Sequence, residues 1–382
     1  MIRLIHTADL HLDWCYAGAG GAAFGVRRRQ GLRDALQRIV RRAIDWPAHA
    51  LLIAGDLFEH DRVSRDTIAM LRGLFESASN VSIFIAPGNH DPYVSSSPYA
   101  TEDWPSNVVI FQSPTWTARQ APHAPLTVHG FAFDGPDISS NPFGRLRIPE
   151  DDRIHVAVGH GAEMGSLPAG KGAYAPFNAQ DAVCDGLSYL ALGHYHAMKH
   201  IDGNFETRVQ YSGSPEGHDF GEPGPHYFLE VEITPDRADV RPVQSSRAVY
   251  LNETIDCTRF ESSQQIVEAV RGLSAADAAT RIARVTLKGS VPAELKYQLD
   301  SIQESIAREF DYLEIVDATE PADDYDFLSC ERTSLGAFIA RINAELRDTR
   351  DEARIRMLRR AREVGLAAYR GRSLTVRGVD KE

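Results

Sequence analysis

Residues 50–56 read Ala-Leu-Leu-Ile-Ala-Gly-Asp: five apolar residues without a break, then a glycine and a carboxylate. A strand that is apolar on both faces must be buried on both, which places it inside a parallel sheet covered on each side. Its neighbours agree. Ile2 to Thr7 reads as a first strand. From Arg27 to Trp46 the residues Leu32, Leu36, Ile39, Val40, Ala43 and Ile44 recur at helical spacing until Pro47 stops the pattern. A helix through Thr67–Phe75 and a strand at 81–86 complete the order strand, helix, strand, helix, strand. That order predicts an α/β core, in which ligands collect at the carboxyl ends of the strands.

After residues 95–98 (Ser-Ser-Ser-Pro) the texture changes. Apolar stretches at 108–111, 126–133, 154–161, 187–196, 209–214 and 226–234 follow with few helices between them, and predict a second, mostly antiparallel sheet packed on the first. Near residue 250 the chain restarts as a small α/β module of three strands and two helices, and from about residue 330 it reads as charged helix. The expected domains are therefore 1–245, 250–325 and a helical segment over 326–382.

The apolar strands end in polar groups that share one chemistry. Strand one is followed by Asp9 and His11, the second ends at Asp56, and the third ends in Gly88-Asn89-His90-Asp91. Later strands supply His160 and the pair His194 and His196. Side chains two apart in extended chain point to the same face, so Asp9/His11 and His194/His196 are each expected to grip one ion. Oxygen ligands mixed with imidazole suit manganese, iron or zinc better than calcium. Seven ligand groups exceed the needs of one ion. A pair of ions ~3.5–4 Å apart is the usual arrangement for phosphate-ester hydrolysis, with Asp56 as the expected bridge.

Composition sets the surroundings. The net charge of −12 over 382 residues excludes a protein that binds nucleic acid by overall basicity, so a phosphate-bearing substrate must be drawn in locally. The four cysteines form no CxxC pair and fit a reducing compartment. The N-terminal residues, with Asp9 and Asp13 close behind a short apolar run, do not read as a signal peptide, and no stretch approaches the ~20 apolar residues of a membrane span. A cytoplasmic protein with no membrane partner is expected.

The ordered set D-x-H, GD, GNHD, H, GHxH resembles the calcineurin-like metallophosphoesterase superfamily over residues 1 to about 240. The stretches HTADLHLD (6–13), LLIAGDLFEHD (51–61), AYAPFNAQDAVCDGLSYLALGHYH (173–196) and YSGSPEGHDFGEPG (211–224) are most similar to SbcD-type DNA repair nucleases. The resemblance implies a four-layer α/β/β/α sandwich with two metals. Asp9, His11, Asp56 and His196 would hold the first, and Asp56, Asn89, His160 and His194 the second. It implies that His90 faces the scissile phosphate and protonates the leaving oxygen, with Asp91 setting its tautomer. It further implies DNA as substrate, the module over 250–325 as a capping domain, and the C-terminal helices as a dock for an SbcC-like SMC-type ATPase. A homodimer is left open.

Other features bear on that reading. Several relatives carry histidine where this chain has Glu59, so end preference does not transfer. Between Arg341 and Arg377 there are eleven arginines against five acidic residues, a local excess within an acidic chain. Part of it reads as i,i+4 pairing, such as Asp348 and Glu352 with Arg356. Arg27, Arg28 and Arg29 read either as a phosphate-contact patch or as a solvated helix face. The module is acidic over 253–270.

Overall fold

The computed structural model describes residues 1–16, 20–167, 172–203, 207–235, 237–274, 280–291, 299–321 and 324–371. The last eleven residues of the expected helical tail lie outside the described residues. The chain divides into two compact units. One comprises residues 1–253 with 270–285 and 303–315, and the other comprises 254–269, 286–302 and 316–382.

In the first unit, strand β1 (Ile2–Thr7) is the hinge of the topology. It pairs in parallel with β2 (Ala50–Ile53), and β2 pairs in parallel with β3 (Ser82–Ile85). On its other edge β1 is antiparallel to β11 (Tyr227–Ile233), giving the order β12-β11-β1-β2-β3-β4. Here β4 is Val108–Ile110 and β12 is Ala238–Gln244. Alternation of side chains sorts the residues between two cores. Ile5, Leu51, Ile53, Ile83 and Ile85 face Leu36, Ile39 and Val40 of helix α1 (Gly21–Asp45) and Leu71 and Phe75 of α2 (Arg65–Ser77). Leu4, Leu52 and Phe84 face the second sheet, where they meet Val128, Val156, Val158 and Ala191.

The second sheet has the order β5-β6-β7-β8-β10-β9, with β5 Thr117–Gln120, β6 Leu126–Gly130, β7 Ile154–His160, β8 Leu187–Gly193, β9 Lys199–Ile201 and β10 Arg208–Tyr211. Two expectations are corrected here. The four inner strands β6, β7, β8 and β10 run parallel, and only the edges β5 and β9 are antiparallel. The stretches at 108–111 and 226–234 belong to the first sheet, as β4 and β11. The reason is the same for both errors. Parallel strands need long crossovers, usually helical, but those of the second sheet use loops and the 3₁₀ turns Phe143–Arg145, Met164–Ser166 and Ala179–Ala182, which carry no helical periodicity. These turns and Phe131, Phe133, Phe143 and Phe177 make the outer layer over the second sheet. The result is the four-layer α/β sandwich, with its fourth layer thin among the described residues.

A buried polar link joins the two sheets. Tyr189 of β8 donates its hydroxyl to His6 Nδ1 at 2.8 Å, and His6 Nε2 donates to the Leu192 carbonyl at 3.2 Å.

A third sheet has the order β13-β14-β15, with β13 Ala248–Asp256, β14 Thr280–Val291 and β15 Tyr312–Pro321, and helices α4 (Ser263–Arg271) and α5 (Leu299–Ile306) lie between its strands in sequence. A one-turn helix α3 (Pro98–Thr101) lies in the first unit, and the second carries, among the described residues, α6 (Tyr325–Cys330), α7 (Ser334–Asp348) and α8 (Glu352–Tyr369). Leu335, Ile339 and Leu366 pack together, and the Arg362 guanidinium lies 3.6 Å from the Tyr325 ring centroid. Arg356 pairs with Glu352 at 3.7 Å, as the spacing predicts. No helix among the described residues is long and apolar enough to cross a membrane.

The His6 link yields a prediction. Burial drives the His6 pKa down to about 3, against 6.5 for a free ring. The unfolded chain therefore takes up this proton first, and the contribution is fully present above pH 6.5 and lost as pH falls toward 3. Over that window the slope from one proton is about 1.4 kcal/mol per pH unit. Urea unfolding of His6→Gln between pH 7 and 4.5 is expected to show a shallower fall than the parent, by about one proton. An identical slope contradicts the assignment.

Candidate metal centre

The carboxyl ends of strands from both sheets converge on one place. Asp9 and His11 follow β1, Asp56 follows β2, Asn89 follows β3, His160 ends β7, and His194 and His196 follow β8. The loops that carry them are strained. Asp9 (φ 53), His11 (φ 46), Asp56 (φ 53) and His194 (φ 111) all take the left-handed region that a β-carbon disfavours. Such conformations persist only where the surroundings impose them, and they gather at functional sites. The loops impose them on each other. The amide of Asp9 donates to the Gly55 carbonyl at 3.1 Å and that of His11 to the Asp56 carbonyl at 2.9 Å. Gly88 is required beside them, since a β-carbon there would stand 2.3 Å from Asp56 Oδ1.

This geometry corrects the expectation of extended pairs. Asp9 and His11 do reach one cluster, but through a left-handed turn rather than strand alternation. His194 and His196 separate. His196 joins Asp9 and His11, with ligand atoms all within 4.8 Å. The His194 ring packs instead 5.2 Å from that of His160, and its amide donates to both oxygens of Asp9 at 3.0 and 3.1 Å. A second group, Asp9, Asp56 and His160, meets the same 4.8 Å limit. Asp56 Oδ2 lies 3.6 Å from His11 Nε2 and 3.3 Å from His160 Nε2, between the two groups. Asn89 Oδ1 lies 3.1 Å from His160 Nε2.

The donor bookkeeping shows what the site fits. His11 Nδ1 is held by Glu59 at 2.7 Å, His196 Nδ1 by Glu222 at 2.5 Å, and His160 Nδ1 by the Ala54 carbonyl at 2.9 Å. Each acceptor fixes a proton on Nδ1 and turns the Nε2 lone pair inward, the arrangement by which metal-binding histidines are oriented. The consequence is that His11 Nε2 and His196 Nε2 face each other at 3.2 Å, and His160 Nε2 faces Asn89 Oδ1. Acceptors facing acceptors in a buried site need a cation or an extra proton between them. The residues present therefore fit divalent ions.

The titration pattern agrees. Burial opposes charge on His160, yet the adjacent Asp56 carboxylate outweighs it and pushes the ring up to about 9. Burial likewise opposes charge on His196, which its bond to Glu222 raises to about 9. Burial lowers His11 to about 4 and His194 to about 3. Asp9, buried, is raised to about 6. Positive charge is thus favoured at His160 and His196, beside the carboxylates of Asp56 and Glu222.

His90 stands apart from this buried set. Its side chain is 38% exposed, and its Nδ1 lies 3.1 Å from Glu59 Oε1. Its amide donates to Asp56 Oδ1 at 2.9 Å. The bond to Glu59 is the chief cause of its raised pKa. Asp91, expected to set the tautomer of His90, does something else. Its carboxylate accepts from the amides of Asp56, Leu57 and Gly88 at 2.9, 2.7 and 2.6 Å, and from the Tyr99 hydroxyl at 2.7 Å. It ties the second ligand loop to the third, and Glu59 is the carboxylate on His90. The reason is local geometry: the GNHD turn folds Asp91 back onto the β2 loop, away from the ring of its neighbour.

A family model for calcineurin-like phosphoesterases matches residues 2–198. The chain belongs to that family. Its members are metal-dependent hydrolases of phosphoesters that bind two divalent metals, and the clusters described above fit that requirement. Among similar proteins is the uncharacterized metallophosphoesterase YhaO of Bacillus subtilis, 25% identical over 80% of this chain and 77% of its own. The DNA double-strand break repair protein Mre11 of Haloferax volcanii is 26% identical over 86% of this chain and 71% of its own. The protein of the same name from Halobacterium salinarum is 27% identical over 62% and 57%.

Two groups escaped the reading of the motifs. Glu222 holds His196 with one oxygen, and its other oxygen accepts from the His218 amide at 3.0 Å and lies 3.1 Å from His218 Nδ1. The buried His218 ring packs 5.2 Å from His11. Both lie in the 211–224 stretch, where four glycines surrounding polar residues were the available signal.

Two substitutions separate the roles. Glu222→Ala is expected to weaken metal binding about 10–100-fold, measured by calorimetry on metal-stripped protein. Asp91→Ala is expected to cost about 3 kcal/mol of stability, through buried amides left unpaired, while the NMR-observed tautomer of His90 stays that of the parent. A changed tautomer with unchanged stability contradicts the reassignment.

Proposed function

We propose that the chain is a metal-dependent phosphodiesterase that hydrolyses DNA in double-strand break repair, as the nuclease subunit of an SbcD/SbcC-like complex. The observation that carries this reading is the placement of one partly exposed imidazole, His90, held by Glu59 beside a buried ligand cluster. Relatives named for DNA double-strand break repair, aligned over as much as 86% of the chain, support the substrate class.

Asp9, His11, Asp56 and His196 would hold one ion, and Asp56, Asn89, His160 and His194 the other. The ions, manganese by preference for this mixed set with iron or zinc as alternatives, would supply Lewis acidity and activate water. The protein's own groups do the rest. Glu59 fixes the His90 ring by its Nδ1, leaving Nε2 to hold a proton for the leaving oxygen. Glu59, Glu222 and the Ala54 carbonyl keep His11, His196 and His160, respectively, in the ligating tautomer. Asp91 and the left-handed loops hold these groups in register before substrate arrives, which is where much of the catalytic advantage of a preorganised site lies. An SMC-type ATPase is the proposed partner of α7 and α8, whose exposed arginines and the exposed Met357 offer a mixed surface.

A second reading, hydrolysis of a nucleotide or phosphoprotein on the same site, draws on the net charge of −12. Protein loaded with manganese and offered linear DNA, cyclic nucleotide and phosphopeptide distinguishes them. DNA cleavage is expected, with His90→Ala reducing it about 10²–10⁴-fold while elemental analysis finds both metals retained. Brisk hydrolysis of a cyclic nucleotide with no DNA cleavage sinks the first reading.

A further inference from the structure

Helix α1 carries seven arginines and two aspartates, against a whole-chain charge of −12. The Arg27–Arg29 run divides in the structure. Arg28 is neither solvated nor available to a phosphate: it is 4% exposed and pairs with the buried Glu216 at 3.0 Å. The later arginines behave differently. Arg38, Arg41 and Arg42 line an open groove of about 500 Å³ together with Arg247, Gln37, Asp34 and Asp45. A second groove of about 290 Å³ shares Asp34, Arg38 and Arg247 and extends to Arg27 and Glu216.

The cations in this groove exceed what its acids neutralise. Arg41 pairs with Asp45 at 3.1 Å, but both side chains are more than half exposed, so the pair counts for little. Arg42 uses its Nε on Glu230, and Arg38 uses one Nη on Glu216 and the Ser245 carbonyl. The Arg247 guanidinium has no hydrogen-bond or ion-pair partner among the described residues; only its backbone is engaged, the amide with Glu216 and the carbonyl with the Thr280 amide. Arg38 and Arg247 stand close enough to repel one another. Guanidinium forks placed this way match phosphate oxygens. The lining has no exposed aromatic or large aliphatic group of the kind that anchors a protein partner.

The groove is joined to the metal centre by covalent chain. Glu216, which holds Arg28 and Arg38, lies two residues before His218 and six before Glu222, in the loop that orients His196. From Arg27, at the end of the second groove, to Arg41 the helix advances roughly 20 Å at its normal rise, about six phosphate steps of one DNA strand at ~3.4 Å each.

We propose that this arginine-lined groove along α1 is a track for the phosphate backbone of the nucleic acid whose end lies in the metal centre. The proposal rests on the DNA reading above and adds to it the surface that holds substrate away from the chemistry.

The test uses Arg41→Ala/Arg247→Ala, two exposed positions outside the site, in a His90→Ala background that leaves DNA intact. Affinity for a fluorescein-labelled 30-nucleotide strand and the corresponding duplex is followed by anisotropy as salt is varied. The double variant is expected to bind several-fold more weakly, and the slope of log K against log salt is expected to shrink by about 1 to 2, roughly 0.9 per duplex contact and 0.7 per single-strand contact removed. With His90 restored, the same pair is expected to leave hydrolysis of bis(p-nitrophenyl) phosphate unchanged. Parental affinity and slope overturn the track. Tighter, equally arginine-dependent binding of poly-glutamate also overturns it, in favour of an acidic peptide. If the parent hydrolyses the small diester but neither binds nor cleaves DNA, the DNA reading itself has failed, an outcome distinct from either.

Discussion

The centre of this protein is held together by groups that should not face one another. Nε2 of His11 and of His196, and Nε2 of His160 with Asn89 Oδ1, are aimed at each other because carboxylates or a carbonyl accept hydrogen bonds from Nδ1–H on the far side. That conflict costs free energy in the protein alone and is relieved by divalent cations. The left-handed loops, the glycine at 88 and the buried Asp91 exist in service of it. They hold the acceptors in place before any ion arrives.

The sandwich explains how a chain can hold such a site. Two sheets pack through Leu4, Leu52, Phe84, Val128 and Val156, and their strands present carboxyl ends along a common edge. Ligands from either sheet alone make half a site. The rigid interior fixes the halves, and the loops add only the last turn of backbone. Glu59 and Glu222 then each serve two imidazoles, so that one carboxylate couples His11 of the buried cluster to the partly exposed His90. The acidic whole and the arginine-rich groove along α1 are compatible for the same reason that the centre is: charge here is organised locally.

Much of this was legible in the residues. Continuous apolar runs marked the strands of the first sheet, and each ligand motif followed one of them. Asp56 stands alone in its motif, and the structure places its Oδ2 between the His11 and His160 rings. The crossovers of the second sheet were not legible, since loops and 3₁₀ turns carry no helical period, and its strands were therefore taken for antiparallel ones. Asp91 was misassigned because adjacency in sequence says nothing about where a tight turn sends a side chain. Glu222 and His218 were missed because no spacing rule connects them to His196, some twenty residues away.

The sequence by itself determined the family, the α/β class and the ligand types, because apolar period and side-chain chemistry are local properties. Only the tertiary structure decided the partners. It split His194 from His196, gave His90 to Glu59 rather than Asp91, buried Arg28 while leaving the Arg247 guanidinium unpaired among the described residues, and turned Asp9 and His11 inward through a left-handed bend. Each of these depends on which loops meet at the edge of two packed sheets, and that meeting is set by contacts between residues 30 to 190 positions apart, which no local pattern records.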